Sequence, residues 1–196
     1  MGTTSGQCEY VIFKLPANLD GASGFGGWVG VAATDRGICR LSLPRPTCEA
    51  ALAALSPRPD WALAWTALLC RAHRQVVDYL RGRRSVFTLP VDLHGLSDFA
   101  VEVLSRLRGI GYGETCSYAQ MAMAVGRPRA SRAVGRVMAS NPVPLVLPCH
   151  RVVGSDGRLV GFGGGLWQKS ALLELEASAG AASIVAKPRA RSFRVG

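Results

Sequence analysis

The sequence predicts an α/β (α+β) chain. A small antiparallel sheet with helices occupies the N-terminal part, and a mostly helical C-terminal part carries a helix-turn-helix. Three observations predict it. Short apolar runs, bounded by turn residues, fall in the first 45 positions. Alanine- and leucine-rich stretches follow them. From about residue 95 apolar residues recur at helical spacing, and two short helical segments meet at a tight glycine-containing turn.

Residues 10–13 (Tyr-Val-Ile-Phe) read as a strand, and residues 28–33 as a second. A turn at 34–37 leads into residues 38–43, which alternate as a half-buried strand does. Residues 47–55 and 61–81 are expected to be helical, with Gly82 and Pro90 as breaks. Leu96, Phe99, Val103, Leu107 and Ile110 form one helical face, ended by Gly111-Tyr112-Gly113. Ser117 and Gln120 make a capping-box pattern, opening a helix to about Val125. Pro128 suits the first turn of the next helix, to about Ala139, with Arg127 at the cap. A final helix is expected over 167–178, and the basic segment 187–194 reads as a disordered tail. The implied organisation is a supporting unit over 1–91, a second unit over 92–180, and the tail over 181–196. No internal repeat is present.

With 196 residues and 48% hydrophobic content, the chain can bury a real core. Its formal net charge of +10 favours an acidic partner, nucleic acid before membrane. The six cysteines form no CxxC pair and no regular framework, so free thiols in a reduced, cytoplasmic setting are expected. No leader and no apolar run of membrane-spanning length are read.

The chemistry concentrates at Pro148-Cys149-His150-Arg151. Thiolate is the reactive form of cysteine, and a neighbouring imidazole or guanidinium favours it. Pro142, Pro144 and Pro148 stiffen the approach. Taken alone, the Cys-His pair also suits a hydrolase or peptidase. Between Gly126 and Ser155 lie five arginines and no acidic residue. Arg129, Arg132 and Arg136 would share one face of the second short helix, whose other positions (Ala130, Ala133, Gly135, Ala139) are small. A slim arginine-faced helix suits phosphate and groove contact. Such a helix alone would also serve a purely DNA-binding protein, which would not need Cys149. Glu176 follows Leu172 and Leu173 at helical spacing, so its carboxylate falls on an apolar face and needs a buried partner.

Further words lie around these residues: Tyr112-Gly113-Glu114, Ser117-Tyr118, Ser131-Arg132-Ala133-Val134-Gly135, Asn141-Pro142, Gly164-Gly165-Leu166 and Lys169. The run from about Phe99 to Glu176 resembles the O6-alkylguanine-DNA alkyltransferases, or methylated-DNA–protein-cysteine methyltransferases. The resemblance implies stoichiometric, irreversible transfer of an alkyl group from O6-alkylguanine in double-stranded DNA to the protein's own cysteine, after the base is flipped out. It implies Cys149 as acceptor, His150 as base through a water, Glu176 as its orienting partner, and Asn141 as the residue fixing the turn. Arg132 would enter the duplex, with Ser131, Ala133, Arg129, Arg136 and Tyr118 at the DNA. Met138, Val152, Tyr118, Phe162 and Arg151 would form the base pocket. No metal or organic cofactor is implied, and Cys8, Cys39 and His94 do not match a zinc-ligand spacing. A monomer is expected. Two positions depart from the family pattern: Phe162 stands where most members carry a tyrosine, and Leu104 where a tryptophan is usual.

Overall fold

Apolar alternation in the first part of the chain builds a four-stranded sheet in the order β3-β2-β1-β4. The computed structural model describes residues 8–16 and 25–183. Strands β1 (Glu9–Lys14), β2 (Trp28–Thr34) and β3 (Gly37–Leu41) form an antiparallel meander, with Val11 opposite Val31 and Val31 opposite Leu41. Val11, Val29, Val31 and Ile38 are fully buried, so the period-two pattern places one face against the core. Helix α1 (Cys48–Leu55) is capped by the Thr47 hydroxyl, which accepts from the Ala50 N–H.

The sheet is mixed, not purely antiparallel. Strand β4 (Ala62–Leu63) pairs in parallel with β1. Helix α2 therefore spans Ala67–Leu80 and does not begin at 61. Two backbone bonds hold the preceding segment to β1, Ala62 N–H to Cys8 O at 3.0 Å and Ala64 N–H to Tyr10 O at 3.1 Å. The Thr66 hydroxyl then starts the helix by accepting from Leu69 N–H. Alanine and leucine suit either state, and the β1 edge decides.

Helix α3 (Asp98–Leu107) is capped by Ser97, so Leu96 and Ile110 flank it instead of belonging to it. Strands β5 (Cys116–Ser117) and β6 (Val152–Val153) form a short parallel pair that joins the Cys149 segment to the entrance of the next helix. That helix, α4 (Tyr118–Ala124), carries a complete capping box between Ser117 and Gln120. Helix α5 (Ser131–Ala139) packs on α4 as a helix-turn-helix. It starts three residues after Pro128, because residues 127–130 close a turn through Ala130 N–H to Arg127 O at 2.8 Å. Arg129 lies in this turn, so the basic face of α5 itself consists of Arg132 and Arg136.

The last helix, α6 (Leu166–Ser183), is longer than the expected 167–178 and crosses the boundary read at 180. The basic segment 187–194 lies outside the described residues. One continuous core runs from Val11 to Leu175 and draws on both parts of the chain. Leu41 N–H donates to Pro142 O at 2.9 Å, and the Gln168 amide donates to Pro44 O at 2.9 Å. Among the described residues, no helix is long and apolar enough to cross a membrane.

Replacing Ser117 by Ala removes the hydroxyl half of the capping box. It should cost about 1 kcal/mol and lower the thermal midpoint by roughly 2–4 °C, measured by circular dichroism.

Candidate active site

The segment between α5 and Cys149 is held by one side chain. The Asn141 amide donates to Leu147 O at 2.8 Å, and its oxygen accepts from Val143 N–H at 3.0 Å. These two bonds close a loop in which Leu145 adopts φ +70°, a left-handed conformation unusual for leucine. Leu145 is also buried, so packing holds the strained backbone. The chain then enters a single 3-10 turn, Cys149–Arg151, that sets all three side chains inward. Cys149 is 5% exposed and His150 fully buried.

Beneath the turn lies a buried charge cluster centred on Glu176. Its carboxylate accepts from Arg151 Nε at 3.0 Å and Nη2 at 2.8 Å, and from His150 Nε2 at 3.0 Å. It also accepts from the Tyr79 hydroxyl at 2.5 Å and from Gly113 N–H at 3.0 Å. Gly113 sits at φ +76°, a conformation that glycine takes freely and that aims its N–H at the carboxylate. Arg151 Nη1 donates to Ile110 O at 2.6 Å. Burial alone would favour the neutral acid. Hydrogen bonds from His150 and Arg151, with the Arg151 charge, reverse that and hold the Glu176 carboxyl well below the usual carboxylate range.

The thiol is tuned in the opposite sense. Burial pushes Cys149 above its ordinary value; the Asn141 amide and the Lys169 cation oppose this without overcoming it. Cys149 therefore rests as a thiol and needs a base. Burial also depresses the His150 pKa, although Glu176 works against it, so the imidazole is neutral at neutral pH. Its Nδ1 is buried and has no hydrogen-bond partner among the described residues. Lys169 is fully buried and donates to Val152 O at 2.6 Å and Val160 O at 2.9 Å.

A cavity of about 590 Å³ opens on the helix-turn-helix side. Tyr118, Ser131, Arg132, Gly135 and Arg136 form one wall, and residues 160–163, including Phe162, form the other. The Tyr118 hydroxyl donates to Val160 O at 3.2 Å and ties the two walls together. Lys169 backs both, with its ammonium 5.8 Å from the Tyr118 ring centre.

The structure thus gathers Cys149, His150, Glu176 and Asn141 into one cluster, and Tyr118, Ser131, Arg132, Arg136 and Phe162 around one cavity. Three expected pocket residues, Arg151, Met138 and Val152, do not line this cavity, and neither do Ala133 and Arg129, which are expected at the DNA. Arg151 is not a wall of the base-sized cavity, because it turns inward to neutralise Glu176. Met138 and Val152 belong to the packed core; Val152 is drawn in by β6 pairing with Cys116. Ala133, on α5, does not line the cavity either. Arg129 is exposed in the turn before α5. Tyr79, Lys169 and the Gly113 N–H carried no expected role. Lys169 stands three residues before Leu172, on the same apolar face as Glu176, and the argument that singled out Glu176 applies to it equally.

Fold and site together define a helix-turn-helix protein with a cysteine–histidine–glutamate cluster buried beside a solvent-open cavity. Residues 98–178 match the 6-O-methylguanine DNA methyltransferase DNA-binding domain. The methylated-DNA–protein-cysteine methyltransferase of Mycobacterium tuberculosis H37Rv is 46% identical over 104 residues, covering 53% of this chain and 62% of that protein. The match therefore spans a little under two thirds of that relative's own length. The Mycobacterium leprae protein of the same name is 46% identical over 119 residues, covering 61% of this chain and 71% of its own. The crystal structure of M. tuberculosis OGT in complex with DNA superposes with a TM-score of 0.71 at 33% identity, covering 87% of this chain and 94% of that one. The chain belongs to the methylated-DNA–protein-cysteine methyltransferase family.

Replacing Glu176 by Ala leaves the Arg151 charge buried and unpaired. The loss should be about 3–5 kcal/mol, seen as a shift of the chemical-denaturation midpoint to lower urea.

Proposed function

We propose that this chain repairs DNA by removing the alkyl group from O6-alkylguanine onto Cys149, once per molecule. The observation that carries the reading is a buried thiol next to a neutral, carboxylate-oriented imidazole, beside a cavity walled by the arginine-bearing helix α5. The relative crystallised with DNA supports duplex DNA as the partner. Arg132 and Arg136 reach phosphate or groove from α5, with Arg129 and Ser131 at its start, and the small residues Ala133 and Gly135 allow close approach. The damaged base leaves the stack and enters the cavity, since its O6 substituent is out of line for attack inside a duplex.

His150 takes the thiol proton through a water, and the sulfur displaces the alkyl carbon in line. A C–S bond forms and the C–O6 bond breaks. The departing guanine keeps the bonding electrons and takes up the proton that left the thiol. Lys169 and Asn141 stabilise the transient thiolate. The thioether does not reverse, so no second turnover follows. Displacement at carbon needs only this nucleophile and base, so no metal or organic cofactor is assigned. Residues 92–180 hold the DNA-facing surface and residues 1–91 support it. A reduced cytoplasmic setting, with the protein acting as a monomer, fits a reaction that consumes a free thiol.

Intact-mass measurement after incubation with an O6-methylguanine duplex tests this reading. One added methyl group on the Cys149 peptide is expected, and none with Cys149→Ala; unchanged mass in the native chain removes the proposal. The His150 shift sets the pH dependence. Base function is lost only when His150 is protonated, and its pKa lies below the ordinary 6.5. Single-turnover rates should therefore hold from neutral pH down past 6.5 and fall below that. Phe162 lines the cavity without a hydroxyl. A tyrosine there can donate to the departing guanine oxygen, so Phe162→Tyr should lower the barrier by ~1–3 kcal/mol and speed transfer roughly fivefold to 150-fold in rapid-quench assays.

A further inference from the structure

Tyr79 is the largest fully buried side chain among the described residues and comes from α2, in the N-terminal part. Its hydroxyl lies 2.5 Å from Glu176 Oε1 and 3.1 Å from His150 Nε2. A phenol has one proton to give. The shorter contact, to a carboxylate, takes it. The 3.1 Å contact to His150 must then run the other way, with Nε2–H donating to the phenol oxygen. Nε2 therefore faces two acceptors, Tyr79 Oη and Glu176 Oε1, and a bare nitrogen there would leave lone pairs opposed. That leaves Nδ1 as the unprotonated ring nitrogen, the one with no partner among the described residues.

We propose that Tyr79 is a positioning residue for the alkyl transfer: its hydroxyl fixes the His150 tautomer whose Nδ1 lone pair is free to accept the Cys149 proton. This rests on the reading of Cys149 as the alkyl acceptor. A Cys–His–Glu arrangement needs Nε2 protonated, and Glu176 alone could hold it there. Glu176, however, is also claimed by Arg151 and Gly113. The phenol adds a second acceptor for Nε2–H and, by donating to Glu176, withdraws charge from the carboxylate. A weaker carboxylate partner disfavours the imidazolium and keeps the base neutral. The groups acting on the His150 ring are Tyr79 from α2, Glu176 and Lys169 from α6, and Arg151 from its own turn, where Cys149 is its chain neighbour. Tyr112 stands behind them, its ring 6.1 Å from that of Tyr79. The N-terminal part thereby supplies a group to the chemistry and not only a platform for it.

The test is Tyr79→Phe, which keeps the ring packed on Phe87 at 5.1 Å and on Tyr112. Folding is checked by circular dichroism and by binding to an undamaged duplex. The variant should still gain one methyl group, about tenfold more slowly near neutral pH. The acid limb of its single-turnover profile should move up by roughly half a pH unit or more, as the freed carboxylate favours imidazolium. The chain has three histidines, so side-chain nitrogen NMR resolves His150 directly. Native protein should show the Nε2–H tautomer, and Tyr79→Phe a mixture or a raised imidazolium fraction. Rates, pH profile and tautomer all equal to native would overturn the inference and leave the repair reading intact. A native chain that gains no methyl group would instead remove the repair reading. If Tyr79→Phe does not fold, the native spectrum decides: Nδ1–H at His150 overturns the proposal, and Nε2–H supports it.

Discussion

A carboxylate taken fully out of water organises this molecule. Glu176 is fully buried, and an isolated charge there would be prohibitive. Its donors come from three separate stretches, Tyr79 on α2, Gly113 after α3, and His150 and Arg151 in the 3-10 turn, and meet Glu176 on a fourth, α6. Each donor is fixed by the others, because losing one exposes an imbalance in a region of low dielectric. The cluster therefore sets the registry of α2, the glycine turn, the active-site turn and α6 in one step. The sheet and its helices are packed so that α2 can present its tyrosine at this point.

The helix-turn-helix is placed by weaker means. Parallel pairing of β5 with β6 joins the start of α4 to the chain just after Cys149. The Asn141 amide fixes the loop leaving α5. The two sides of the cavity are thus tethered to the residues flanking the thiol. Lys169 strengthens that tether, bonding Val152 O beside the thiol and Val160 O on the cavity wall. Motion of the wall at 160–163 is consequently linked to the electrostatic surroundings of the sulfur.

Much of this was legible in residue order, for identifiable reasons. The meander strands alternate strongly, the Ser117–Gln120 box is local, and Glu176 on an apolar face demands a partner whatever the tertiary structure. What sequence could not show was non-local. Strand β4 exists because a distant edge was free, and its alanine and leucine suited a helix equally well. Arg151, next to Cys149 in sequence, was expected at the substrate, and only the packing of α6 turns it inward. Arg129 left the helical face because the backbone closed a turn before α5 could begin. Tyr79 reads as one more apolar-face aromatic until the chain brings α6 beside it.

The resting state of the sulfur has a further consequence. If the protein reacts only once, as proposed, any stray electrophile or peroxide reaching its nucleophile first inactivates it. Cys149 is nearly closed to solvent and stays protonated, so such bystanders meet a poor nucleophile behind a packed surface. On the proposed repair reading, selectivity for damaged DNA over small reactive metabolites would come from withholding reactivity until a base fills the neighbouring space, and not from a sulfur that is intrinsically hot.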